Sequence, residues 1–305
     1  GQTDLPLSML GHLQAVLLHE ELSDKISAIY CSPLSRAVDT ASHIAPALPH
    51  LTVSELSERN LGSWDGLSFD KIRQKWPAIY EARGKNPECP IPGAETPLES
   101  GTRFSQAISR ILHSSDSNIA VVAHTDVISF YLWMLYPEIS DIQKFRLPCG
   151  SYYHLRVDAE GNAALSDSHY ILPHPVLNDE LCRMLRNSVD LPQHVQAHSD
   201  AVTELACRLC DILKVHGYLF DQQLIRSGAL LHDIARLQKH HTKTGGDLFL
   251  QLGYPEISQI ISQHHGLLEA TLDEAAIVFL ADKLIQETQR VTCLLYTSDA
   301  ADDLT

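Results

Sequence analysis

The chain has 305 residues, a hydrophobic content of 44% and a formal charge of −15. Its length suffices for two packed cores, since domains usually run to ~100–200 residues. The acidic balance, with no basic run, excludes nucleic acid as a partner, because neutralising phosphates takes clustered Lys and Arg. The longest apolar runs, NIAVVAH and AAIVFLA, fall far short of the ~20 residues that span a bilayer, and no secretory signal is visible. No membrane partner and a cytoplasmic location are therefore expected. Seven Cys without a framework spacing fit a reducing compartment, and Cys207 and Cys210 read as two buried positions of one helix. Of 17 His, nine fall between His174 and His265, a clustering that suggests metal chemistry.

Taken in chain order, the pattern changes once. Up to about Tyr170, β-rich runs (SAIYCS, NIAVVAH, SYYHLRV) alternate with helical stretches such as Arg36–Leu48 and Pro97–His113, which predicts an α/β domain over residues 1–172. In YCSPLSRAVDTA an apolar run feeds a Ser-Pro turn and a helix with Arg36 in its first turn, a junction where backbone N–H groups and a guanidinium can hold phosphate, the bland alternative being an Arg that solvates the helix end. ELSERNLGSWDG then puts Glu58 in a Gly-rich loop and PGAETPLESGTRF opens a helix. NIAVVAHTDV ends a buried strand on His124 before another helix, a common setting for catalysis in α/β sheets.

The Pro-containing stretch 173–178 reads as a linker, and residues 179–292 as an all-α bundle. Apolar residues recur at three and four spacing through Val195–Val215, Gln222–Leu237 and Glu274–Glu287. His198 falls on the first of these helices, the adjacent pair His232-Asp233 on the second and Asp282 on the third. Imidazole and carboxylate converging from separate elements suit Mn²⁺, Fe²⁺, Zn²⁺ or Mg²⁺, whereas hydrogen-bonded core polar groups are the bland alternative. His241, in KHHTKTGGDLF, and His264 and His265, in ISQHHGLLEA, could extend the set, while His194 beside a helix start is not taken as a ligand.

The ordered set in the first half resembles the histidine phosphatase superfamily, also called phosphoglycerate-mutase-like. Its signature opens Arg-His-Gly-(Glu/Gln)-Thr, and this chain starts inside it at Gly1-Gln2-Thr3, so the domain over 1–172 is expected to lack its first strand and the family's nucleophilic His, and its phosphatase half to be inactive. The resemblance implies a three-layer α/β fold and phosphate binding by Gln2, Thr3 and Arg36. It also implies that Glu58 is the general acid and His124 the second His that stabilises the transferring phosphoryl group, with no cofactor. His124-Thr125 replaces the common His-Gly, and Pro6 falls where mutases often carry Asn, so hydrolysis is expected rather than mutase activity. The second half resembles the HD superfamily of metal-dependent phosphohydrolases, His…His-Asp…Asp on a helical bundle. That implies one divalent metal on His198, His232, Asp233 and Asp282, or two if His241, His264 and His265 join.

The expected whole is a fragment of a bifunctional phosphohydrolase, acting on a small phosphomonoester in one half and on a nucleotide or similar phosphoester in the other. Two rival readings are a non-catalytic metal- and nucleotide-binding regulatory HD module, and a fragment left inert by truncation. Cys293–Thr305, CLLYTSDAADDLT, resembles one translated frame of a transposon-type sequencing adapter and is expected to be a non-native tail, with the preceding helix stopping near Arg290–Thr292. Oligomeric state is not legible.

Overall fold

The structure, a computed structural model, describes residues 1–290 except 87, 88, 114–117, 159, 168 and 270. The expected tail at 293–305 lies outside the described residues. The chain divides into two compact units, Gly1–Pro173 and a second beginning at His174.

The first unit is built on a parallel sheet of order β2-β1-β3, from β1 (Ala28–Cys31), β2 (His50–Thr52) and β3 (Ile119–Val122). Alternation along the strands makes three layers, because successive side chains leave opposite faces. Ile29 and Cys31 of β1, with Ala120 and Val122 of β3, pack on α1 (Met9–Leu22) and α2 (Ser35–Ile44) through Leu18, Ala41 and Ile44. Tyr30, Ile119 and Val121 face the other way, towards α5 (Pro97–His113) and α6 (Thr125–Leu135), where Phe104, Ile111 and Tyr131 sit. A capping box opens α5: the Thr96 N–H donates to Glu99 Oε2 at 2.7 Å and the Glu99 N–H to Thr96 Oγ1 at 3.1 Å. A separate small cluster joins Trp64, Ile72 of α3 (Phe69–Lys75) and Ile91, with Ile79 and Tyr80 of α4 (Pro77–Lys85) packed against it.

Three local expectations change. α2 stops at Ile44 rather than Leu48, since Pro46 disfavours helix in the residue before it. β3 is half-buried rather than buried, because it lies at an edge of the sheet formed by the described residues. Of SYYHLRV only β4 (Leu155–Val157) is a strand, paired antiparallel with β5 (Ala163–Leu165), while Tyr152 makes a lone bridge to Ile171.

The second unit is helical: α7 (Asp179–Ser188), α8 (Gln193–Val215), α9 (Gln222–Leu231), α10 (His241–Gln251), α11 (Pro255–Gln263) and α12 (Glu274–Lys283). Its core joins Val202 and Ala206 of α8, Ile225 and Ala229 of α9, Ile260 of α11, and Ile277 and Val278 of α12. Gly228 brings α9 close to α11, since a Cβ there would stand 2.6 Å from Ile260 Cδ1. Cys210 is buried as expected, but Cys207 is only half-buried, turned towards Arg226.

α9 ends at Leu231, not Leu237, so His232-Asp233 leads out of the helix rather than lying inside it. The chain there tightens into bonds three residues apart, from Ile234 N to Leu231 O and from Arg236 N to Asp233 O, each at 2.9 Å. α12 ends at Lys283, ahead of both Glu287 and the expected Arg290–Thr292 stop. Beyond it the chain forms a hairpin of β6 (Ile285–Gln286) and β7 (Gln289–Arg290), turned through Glu287 at φ +54°.

Candidate functional site

In the first unit the expected residues gather at the C-terminal ends of β1 and β3. Arg36 lies in the first turn of α2, where its Nη1 donates to the Thr3 carbonyl at 2.9 Å and its Nη2 to the Gly1 carbonyl at 3.0 Å. Asp4 accepts from the Ser35 N–H at 2.7 Å, tying the first residues to the start of α2. The Gln2 side chain donates to the Glu58 carbonyl at 2.9 Å. Gln2, Thr3 and Arg36 are thus drawn together by backbone carbonyls.

His124 precedes α6, is buried, and lies 2.8 Å through Nε2 from the hydroxyl of fully buried Ser32. Burial, and then the nearby charge of Arg36, push its imidazole down to about 3, so it is neutral at pH 7. Glu58 is likewise buried, with Oε1 accepting from the Arg59 N–H at 2.7 Å. Burial, then the charge of Asp126, raise its carboxyl above the ordinary range. A buried carboxyl with raised proton affinity, with a neutral imidazole and a guanidinium in the same unit, is suited to receive a phosphomonoester and pass a proton to its leaving oxygen.

Sequence reasoning missed Ser32, Arg59 and Arg103. Arg103 spans the loop from α5, its Nε and Nη2 each 2.8 Å from the Glu95 carboxylate and its Nη1 donating to the carbonyls of Glu55 (2.6 Å) and Ser57 (3.0 Å). The Arg spacing in TRF was available, but nothing in it names a carboxylate partner outside the helix.

In the second unit all seven expected ligands come together from α8, the turn after α9, the start of α10, the end of α11 and α12. Potential ligand atoms fall into three sets, each within 4.8 Å of one another: His198, His232 and Asp282; His232, Asp233 and His264; and His241, His264 and His265. His194 is in none of these sets. His232 and His264 each present Nδ1 to a carbonyl one turn back, Ala229 and Ile261, at 2.7 Å. A carbonyl can only accept, so Nδ1 carries the proton and the Nε2 lone pair is left free. Both Nε2 atoms, and Asp233 Oδ1, are buried without a hydrogen-bond partner. Three lone-pair atoms orphaned in a dry interior are costly unless a cation completes them, so the donor set fits a divalent metal.

Electrostatics agree at His232, Asp233 and Asp282, whereas at His198 burial is outweighed by the contacts with Asp282 and the Glu287 carbonyl, which raise the imidazole. Burial pushes His232 down to about 4, which keeps it neutral and ligand-ready. Burial opposes ionisation of Asp233 and Asp282, yet the surrounding imidazoles prevail: Asp233 falls well below the carboxylate range, and Asp282 falls to about 2. Asp233 Oδ1 stands 3.5 Å from Nε2 of both His241 and His264, and Asp282 Oδ1 3.0 Å from His198 Nε2 and 3.6 Å from His232 Nε2. His198 Nδ1 donates to the Glu287 carbonyl at 2.9 Å, an orienting contact that sequence reasoning missed because it depends on the unexpected hairpin.

Comparison with known proteins places both halves. The profile of the histidine phosphatase superfamily (branch 1) matches residues 1–167, and that of the HD domain residues 195–286. Phosphoglycerate mutase-like protein 4 of Arabidopsis thaliana is 34% identical over 153 residues, which are 47% of this chain and 66% of that protein. Phosphoserine phosphatase 1 of Hydrogenobacter thermophilus is 27% identical over 171 residues, 54% of this chain and 81% of that one. The solved structure of mycobacterial glucosyl-3-phosphoglycerate phosphatase with inorganic phosphate aligns at a TM-score of 0.48 and 24% identity, covering 55% of this chain and 88% of that one. The chain belongs to the histidine phosphatase superfamily (branch 1), and an HD domain follows its phosphatase half.

Proposed function

We propose that the chain is a fragment of a bifunctional phosphohydrolase, its first unit part of a phosphatase for a small phosphomonoester and its second acting on a nucleotide or similar phosphoester. In the first unit, Arg36 and His124 would hold the phosphoryl oxygens with Gln2 and Thr3 at the substrate, and Glu58 would protonate the leaving oxygen as the signature His, which residues 1–305 do not include, forms the new bond to phosphorus. The raised proton affinity of that buried carboxyl supports the assignment. Thr125 after His124, and Pro6, favour hydrolysis over phosphoryl return to the substrate.

In the second unit, His198, His232, Asp233 and Asp282 would hold a divalent ion, Mn²⁺, Fe²⁺, Zn²⁺ or Mg²⁺. His241, His264 and His265 would hold a second, with Asp233 between the two sets. Bound metal would supply Lewis acidity and an activated water. The chain's own part is to keep His232 and His264 in the Nδ1–H tautomer and to orient His198 through the Glu287 carbonyl. One observation carries this half of the reading: three ligand-type atoms, on His232, Asp233 and His264, are buried without partners.

Phosphate release from a nucleotide panel, with and without Mn²⁺, tests it. Metal-dependent release, lost in Asp233→Ala, is expected. Metal and nucleotide binding with no product from any member would favour the regulatory reading instead.

A further inference from the structure

The side chain of Arg59 is the largest of those fully buried, at 2% exposure. A guanidinium stays charged, and a buried charge is costly unless it is paired. Its Nε donates to the Glu95 carbonyl at 2.7 Å, while its terminal nitrogens show no hydrogen bond and no ion pair within 4.0 Å among the described residues and, not being among the sealed unpartnered atoms, remain open to an incoming group. The neighbouring carboxylates are already engaged. Glu95 is gripped by Arg103 at 2.8 Å and by the Asn60 N–H at 2.8 Å. Glu58 Oε1 takes the Arg59 N–H, and Asp126 pairs with Arg146 at 3.7 Å. Against the guanidinium lies an aromatic face instead, the Phe130 ring, 5.5 Å from Cζ to centroid. Cation–π attraction is weaker than a fork contact to an anion, so the terminal nitrogens keep donors to offer. Arg83, itself without an ion pair among the described residues and set over Trp64, adds positive charge: burial first, and Arg83 second, push the Arg59 guanidinium below its ordinary range.

The placement says what the missing anion belongs to. Glu58 Oε2 lies 3.5 Å from the Asp126 N–H in the first turn of α6, and Phe130 is four residues further along the same helix. Positions four apart share a face about 6 Å from each other. The Glu58 carboxyl and the Arg59 guanidinium therefore border the same helix one turn apart, at Asp126 and at Phe130. We propose that Arg59 forms a subsite for a second acidic group, a carboxylate or second phosphate, borne by the leaving half of the phosphomonoester. This rests on the assignment of Glu58 and Arg36 to the phosphatase site.

Calorimetric titration of the full chain with ethyl phosphate, phosphoglycolate and ethylene glycol bisphosphate tests it without requiring turnover. At least one acid-bearing probe is expected to bind about tenfold or more tightly than ethyl phosphate, the scale of a charge-assisted fork contact. Which of the two does so identifies the group as carboxylate or phosphate. Arg59→Met should erase that preference and leave ethyl phosphate affinity within about twofold, whereas Arg36→Met should weaken all three probes together. If Arg59→Met fails to fold, Arg59→Lys keeps the stem and charge but not the planar fork, and should lose most of the preference. Equal affinities in the parent chain, or a preference untouched by either Arg59 substitution, overturn the subsite. No binding of any probe would instead reject the phosphate cradle, and the subsite with it.

Discussion

His124 shows what a single residue type can and cannot announce. Its place between a strand and a helix N-terminus was readable from NIAVVAHTDV, but its neutral state comes from burial and from Arg36, which no local sequence reveals. The sign of its pH effect is fixed by that cause. The folded imidazole titrates at about 3 against an ordinary 6.5, so below pH 6.5 the unfolded chain binds more protons and stability is lost as pH falls from 6.5 towards 3. Proton NMR of the full chain should show the His124 ring signal unmoved at pH 5, and saturating inorganic phosphate should raise its midpoint. A midpoint near 6.5 in the free protein would contradict the buried, Arg36-facing geometry. The same distinction runs through the other residues. Glu58, Arg36 and the seven metal-type ligands were legible as chemistry at a spacing, whereas Ser32, Arg59 and the Glu287 carbonyl were not, because their parts are set by packing alone.

At the scale of elements, helices with strong three-and-four periodicity were legible almost to the residue: α5 and α8 match their apolar patterns. Ends governed by tertiary demand were not. The α9 pattern continues to Leu237, but the chain leaves the helix after Leu231, and the tighter turn presents His232 and Asp233 to the cluster. Likewise the hairpin after α12 delivers the Glu287 carbonyl to His198, a long-range contact that no helical period encodes. The α9–α11 contact carries its own test. Gly228→Ala would gain about 1 kcal/mol of helix propensity. The added methyl, however, meets Ile260 Cδ1 at 2.6 Å and Cγ2 at 2.9 Å, and a β-branched side chain held in the core cannot swing away. Overpacking of ~1–3 kcal/mol should win, giving a net loss of ~1–2 kcal/mol in urea unfolding, together with weaker metal retention, since these helices lead into His232 and His264. Unchanged or increased stability would show that the two helices approach less closely.

At the scale of the molecule, the two halves solve one problem by opposite means. The phosphatase unit sets fixed positive groups and a buried carboxyl of raised proton affinity around the ends of its strands, while the HD unit gathers imidazoles and carboxylates into a cluster suited to a cation. The domain pattern was legible because sheet signals give way to helical ones near Pro173 and because each half carries an ordered motif. Substrate identity was not, since it depends on side chains such as Arg59 that no motif names. Among the described residues, no helix is long and apolar enough to cross a membrane. The central claim, that the buried cluster is a metal centre rather than a set of core polar groups, is tested most directly by elemental analysis of the purified chain after reconstitution with Mn²⁺, Fe²⁺ or Zn²⁺. About one to two equivalents of bound metal are predicted, the higher figure falling towards one in His264→Ala and both being abolished in Asp233→Ala. A folded chain that retains no metal from any of the three would contradict the account.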